Sequence, residues 1–151
     1  MYKIIILLLG GLINSVYANE LSLVVPFEKV KQSGLPNATP MQFVIDRDGT
    51  LIYHHVGTDR GIKGAFKRKE KMKDGELLKK KLLTLFEQSP VFSDFDYTLV
   101  FVTDERAAEF CPPCVMQAEI NRKVINSMGN KSILLISLAQ HFVGERTGSV
   151  R

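Results

Sequence analysis

The period of hydrophobic and polar positions changes several times along this chain, and each change marks an expected element. Residues 21–25 (LSLVV) are a short apolar run that reads as a strand. Residues 27–32 fit about two turns of helix ended by Gly34, after which Pro36 and Pro40 interrupt regular structure. Two β-rich runs, 41–45 (MQFVI) and 50–57 (TLIYHHVG), flank Asp46-Arg47-Asp48-Gly49. Asp-Gly between such runs predicts a β-hairpin, with Asp46 and Asp48 serving the turn rather than a metal. Residues 76–88 place Leu77, Leu78, Leu82, Leu85 and Phe86 at helical spacing, with Lys79, Lys80 and Lys81 on the other face and Pro90 as the stop. Residues 97–103 (YTLVFVT) and 132–138 (SILLISL) are nearly continuous in apolar and β-branched side chains, the pattern of central strands buried on both faces. Between them a helix runs from Cys111-Pro112-Pro113-Cys114 to about Met128, followed by a turn at Gly129-Asn130. Strands mixed with helices in this way predict one α/β domain with a central sheet flanked by helices.

Composition narrows the class. The 151 residues are 45% hydrophobic and 24% charged, with 11 Gly and 6 Pro, which excludes a disordered tail, a collagen-like fibre and a multidomain enzyme. Residues 1–18 change the picture. Lys3 precedes an apolar run of about ten residues, short of the roughly 20 a spanning helix needs, and Val16-Tyr17-Ala18 offers small residues at the positions before a cut. A secretory signal peptide is therefore expected over 1–18, a folded domain over 19–138 and a polar C-terminal tail over 139–151. Such a leader implies a periplasmic or secreted protein, in a compartment where disulfides persist.

The formal net charge of +4 is unevenly spread, because the segment that opens at Arg60 and closes at Lys81 holds ten basic residues against Glu70, Asp74 and Glu76. Only Phe66 interrupts those charges, so the interleaved aromatics of a nucleic-acid surface are missing and no nucleic-acid partner is expected. The segment reads as a solvated loop and helix face, or as a contact with an acidic partner or an anionic membrane surface.

The candidate chemistry sits where a strand feeds a turn and the turn opens a helix. Two cysteines are too few for a disulfide scaffold or an all-cysteine zinc site, but C-x-x-C in that setting is a redox signal. Two intervening residues let both sulfurs meet across one helical turn. Pro112 and Pro113 suit the first turn, where no amide hydrogen needs a partner. The helix amides and dipole favour thiolate at Cys111, which makes Cys111 the nucleophile and Cys114 the resolving thiol. Two other readings compete: a static structural disulfide, and half of a zinc site completed by a second chain or by His54, His55 or His141. The neighbours His54 and His55 point to opposite faces of a strand, which speaks against zinc, and neither a metal nor an organic cofactor is expected.

Two stretches resemble the thioredoxin-like superfamily, especially its exported TlpA-type disulfide oxidoreductases. One is the strand, CPPC, helix and strand over 97–138; the other is Ala38-Thr39-Pro40-Met41-Gln42-Phe43-Val44-Ile45-Asp46-Arg47-Asp48-Gly49 and the strand after it, which looks like the family's T-P-x-x-F-x-I-D-x-D-G hairpin entered by a cis-proline. The resemblance implies a thioredoxin-like sheet, Pro40 as that cis-proline beside the disulfide, and Thr39 presenting backbone to a bound substrate thiol. Phe110, Pro112 and Pro113 would complete the substrate surface, with Phe110 standing where the family commonly has Trp. The order departs from the family, which places the CxxC half first; here Pro40 precedes Cys111 by 71 residues, so the halves read as circularly permuted or otherwise rearranged. The function implied is an exported thiol-disulfide oxidoreductase acting on protein thiols and disulfides, with a redox partner that recycles the CPPC pair. The alternatives are a non-catalytic binding module of an envelope assembly that uses CPPC as a staple, and a metal-handling Cys pair. Asp104, Glu105 and Glu109 lie just before Cys111 and would raise its pKa, or Glu105 and Glu109 could shuttle a proton to Cys114.

Overall fold

The computed structural model describes residues 19–142. The leader expected over 1–18 and most of the expected tail lie outside the described residues. Five strands form one sheet: β1 (Asn19–Pro26), β2 (Met41–Asp46), β3 (Leu51–Val56), β4 (Tyr97–Asp104) and β5 (Ile133–His141), in the order β1-β5-β4-β2-β3. β1, β5 and β4 run parallel, whereas β2 is antiparallel to both β4 and β3. The helices are α1 (Phe27–Gln32), α2 (Gly75–Leu83), α3 (Ala107–Phe110) and α4 (Pro112–Asn126). The chain is thus a mixed α/β domain with helices on both faces of a mixed sheet.

Side-chain alternation along the central strands sorts the core into two layers. Val100 and Val102 of β4, with Ile136 and Leu138 of β5, pack with Val30 of α1 and Leu82 of α2. Leu99 and Phe101 of β4, with Ile133 and Leu135 of β5, pack with Ile125 of α4. Both faces being covered explains why residues 99–102 and 133–136 in the middle of these strands are all apolar.

The hairpin forms where Asp-Gly predicts it. Gly49 takes φ +79°, and Asp46 Oδ1 accepts the amides of Asp48 and Thr50 at 2.9 Å each, so Asp46 serves the turn. At the same end of the sheet Asp96 accepts the Ser132 amide at 2.8 Å and pairs with Arg47 at 2.8 Å, and this holds its carboxyl below the usual carboxylate range.

Four boundaries differ from expectation. The helix expected over 76–88 is α2 and stops at Leu83, because the Thr84 hydroxyl turns back to the Lys81 carbonyl and the amides of Leu85 and Phe86 bond three residues back rather than four. Leu85 and Phe86 are nonetheless buried, so their spacing served a core turn rather than a longer helix. The CPPC helix closes at Asn126, where the Ser127 hydroxyl takes the Val124 carbonyl. β5 continues past 138 to His141 because β1 and β4 pair with it on either side, so residues 139–141 belong to the sheet and not to a tail. Finally, residues 60–81 are more than a solvated loop and helix face. A 3-10 helix spans Ile62–Lys67 and buries Ile62, Ala65 and Phe66 in the α4-side core. No helix among the described residues is long and apolar enough to cross a membrane.

Candidate functional site

β4 ends at Asp104, and α3 carries the chain to Cys111, whose amide bonds the Ala107 carbonyl at 2.9 Å. Cys111 is the N-cap of α4, with φ −140° and ψ 72°, and Pro112 and Pro113 follow in the first turn, where their missing amide hydrogens leave nothing unpaired. The Cys111 carbonyl accepts the Cys114 amide at 2.9 Å, which brings the two residues to a Cα separation of 5.2 Å, and Cys111 and Cys114 form a disulfide. Cys111 is 7% exposed and Cys114 0%, so Cys111 is the more accessible member of the pair.

The loop before β2 closes over that sulfur. Thr39 Oγ1 lies 3.7 Å and the Thr39 carbonyl oxygen 3.9 Å from Cys111 Sγ, and the Thr39–Pro40 bond is cis. Residues 72 positions apart therefore share one site, because β2 pairs with β4 and its Met41 end lies at the Val102 end of that strand. Around the disulfide Phe110, Val115 and Met116 are 37%, 40% and 44% exposed, and Pro112 and Pro113 are exposed as well, giving an apolar rim beside Cys111.

No family model, curated protein or solved structure matches this chain.

Charged groups just upstream of Cys111 are paired with one another. Arg106 bonds Glu109 through both its Nε and Nη2 atoms and lies 4.7 Å over the Phe110 ring; the Glu109 contact raises the guanidinium pKa further. Glu105 Oε2 accepts from His141 Nδ1 at the rim of a cavity of about 130 Å³ that Asp104, Arg106 and Phe110 also line. Glu105 and Glu109 are thus engaged at the surface, with His141 and Arg106 respectively.

His54 stacks on Phe43 with ring centroids 4.4 Å apart, and its Nδ1–H donates to the Gln42 carbonyl at 3.1 Å, whereas His55 stacks on Tyr53 across the other face. Among the described residues no three His, Cys, Asp or Glu side chains gather into a metal-binding group. Burial, the largest cause, together with the neighbouring His55 holds the His54 pKa below its ordinary value despite the bond to Gln42. Unfolding therefore takes up a proton at His54 in acid. Its contribution to stability is full above the unfolded pKa of about 6.5 and is lost as pH falls through the lower folded value. Urea melts between pH 7.5 and 5 are expected to show a smaller acid loss for His54→Gln than for the native chain; equal slopes would exclude this role.

Sequence reasoning missed a polar belt behind Cys114. Cys114, Gln117, Asn121 and Ile125 form the buried face of α4. Gln117 Nε2 donates to Asn121 Oδ1 at 2.8 Å and to the Asp59 carbonyl at 3.2 Å, and Gln117 Oε1 accepts the Asp59 amide at 2.6 Å. Asp59 in turn accepts from the Tyr53 hydroxyl, and burial together with that bond pushes the Tyr53 pKa well above the phenol range. Two positions back, Gly57 donates its amide to the Pro40 carbonyl at 2.8 Å and accepts from Gln42 Nε2 at 3.2 Å. The belt ties the CPPC helix to the Thr39–Pro40 loop from below. Two amide side chains on an otherwise apolar helix face were the available signal.

Proposed function

We propose that this chain is an exported thiol-disulfide oxidoreductase of thioredoxin-like architecture with its halves in permuted order. One observation carries the reading: Thr39 lies against the sulfur of Cys111, the more accessible member of a disulfide at a helix N-terminus. The order of elements supports permutation, since the hairpin written before the CPPC half pairs with the strand that feeds it.

In the reducing direction the Cys111 thiolate, stabilised by the α4 amides and dipole, attacks one sulfur of a client disulfide. A bond forms from Cys111 Sγ to that sulfur, and the client's second sulfur leaves as thiolate. Cys114, deprotonated, then attacks Cys111 Sγ and releases the client's first sulfur. The Cys111–Cys114 disulfide remains, the client has gained two electrons, and a separate dithiol partner must reduce the pair again. The same steps in reverse oxidise a client dithiol. Phe110, Pro112, Pro113, Val115 and Met116 offer apolar contact to the client segment, and Thr39 offers backbone.

Alkylation followed by mass spectrometry across graded dithiol buffers tests this. The pair is expected to open while circular dichroism still reports a folded protein, with Cys111 labelled before Cys114. A pair that resists reduction until the protein unfolds would make it a structural staple and reject the enzyme.

A further inference from the structure

The middle of the basic segment, residues 66–79, lies against one end of the sheet, whereas Arg60 follows Asp59, which bonds Gln117 of the CPPC helix. Gly75 packs on the Leu51 carbonyl, Lys79 Nζ donates to the Gly49 carbonyl at 2.8 Å, and the Phe66 ring meets Tyr97 at 5.3 Å. Gly49, Leu51 and Tyr97 belong to the hairpin-turn end, whereas Thr39 and Cys111 lie at the other, roughly 20 Å away for strands of this length. Charge is divided in the same way. Among the described residues outside 60–81, seven basic side chains face twelve acidic ones, with Asp104, Glu105, Glu109 and Glu119 flanking or following the disulfide. Four of those acidic side chains, Asp46, Asp48, Asp94 and Asp96, lie at the hairpin-turn end with Arg47 and Lys131, so that end keeps a net positive charge from the lysines, while residues 104–109 beside the disulfide hold three carboxylates against Arg106.

We propose that the basic end docks on an anionic lipid surface and holds the disulfide end away from it. Eight of the ten cations are lysines, spread over the 3-10 helix, a loop and α2. The Arg68 guanidinium is already engaged 4.9 Å above the Tyr53 ring. Compact ammonium groups on flexible stems suit laterally mobile head groups better than the fixed carboxylates of a folded protein. A cavity of about 390 Å³ opens among Lys67, Arg68, Lys69 and Lys71, with Glu70, Ile52 and Met72 also in its wall, so four cations face one carboxylate there. One apolar side chain completes the pattern. Leu77 is 58% exposed on α2, with Lys80 and Lys81 three and four residues after it on the same helix, so a single hydrophobic anchor stands beside lysines. Phe66, the aromatic that base stacking would need, is buried.

Co-sedimentation of the full oxidised chain with phosphatidylcholine vesicles, with and without about one-third phosphatidylglycerol, tests the proposal. Binding is expected on the anionic vesicles alone, and it should vanish in 1 M salt, where screening falls to about 3 Å. Lys67→Gln/Lys69→Gln/Lys73→Gln should weaken it by about tenfold or more, and Leu77→Ser by severalfold, while Lys31→Gln/Arg122→Gln/Lys123→Gln, with the same net charge, changes it by less than about threefold. Equal loss in both triple variants, equal binding to neutral vesicles, or no binding would overturn the proposal. Tighter binding to polyglutamate than to the vesicles would assign the patch to an acidic protein and overturn it too. On the vesicles, a small dithiol should open the disulfide as fast as in solution; strong slowing would refute the orientation. The binding readouts do not require the chain to be a redox enzyme, whereas the dithiol rate rests on the pair opening in the folded protein.

Discussion

Cys114→Ser is expected to turn a transient exchange into a covalent trap. With the resolving sulfur gone, the mixed disulfide between Cys111 and a client thiol has no neighbour to cleave it, so non-reducing mass spectrometry should find the variant carrying a cysteine peptide after incubation with its disulfide. Cys111→Ser should carry little or none, since Cys114 is fully buried beneath the first turn of α4. Either change should lower turnover on the order of a thousandfold or more, because each removes a sulfur that the proposed cycle uses once per turn. The asymmetry is the decisive part. Equal trapping through Cys114 would mean that α4 moves away to expose it and that the assignment of nucleophile and resolver is wrong.

Gln117→Leu should destabilise the fold by about 2–3 kcal/mol, a large cost for a nearly isosteric change. Leucine fills the space but leaves the Asn121 Oδ1 acceptor and the Asp59 amide and carbonyl without the groups that satisfy them. Asn121→Leu should cost less than about 1 kcal/mol, because it removes Nδ2, a buried donor without a hydrogen-bond partner, and Gln117 keeps both bonds to Asp59. Urea titrations with unchanged slopes and a lowered midpoint for Gln117→Leu would measure the effect. If the two variants cost the same, the bonds to Asp59 contribute nothing and the belt is only filler. Because Gly57 donates to the Pro40 carbonyl, Gln117→Leu should also slow labelling of reduced Cys111 or change its pH profile, whereas a purely structural loss would leave that profile in place.

The parts legible from sequence are those where local pattern and tertiary demand agree. β4 and β5 are covered on both faces, so residues 99–102 and 133–136 are all apolar, and the Asp-Gly turn carries its own backbone chemistry. CPPC at a strand-to-helix junction announced both its geometry and its candidate chemistry. Three features were hidden for physical reasons. Ile62, Ala65 and Phe66 have helical spacing, but lysines and glycines surround them and drown the signal in charge. Gln117 and Asn121 look solvated by composition, and only their partners at Asp59 and on each other let them be buried. Gln140 is buried because β1 and β4 clasp its strand on both sides, a fact that no window around residue 140 contains.

The pairing of β1 with β5 has a kinetic consequence. Asn19 lies opposite Leu134, so the first described strand has its only strand neighbour in the last one, and more than a hundred residues intervene. β5 also separates β1 from β4, which leaves β1 no other strand in the sheet to join. During synthesis the hairpin, α2 and β4 can assemble as they emerge, but β1 must wait until residues 133–141 are made. A topology dominated by such distant pairings folds slowly, because loop closure must be met before the contacts that reward it. β5 and, outside it, β1 are therefore the strands that join the sheet after the hairpin and β4.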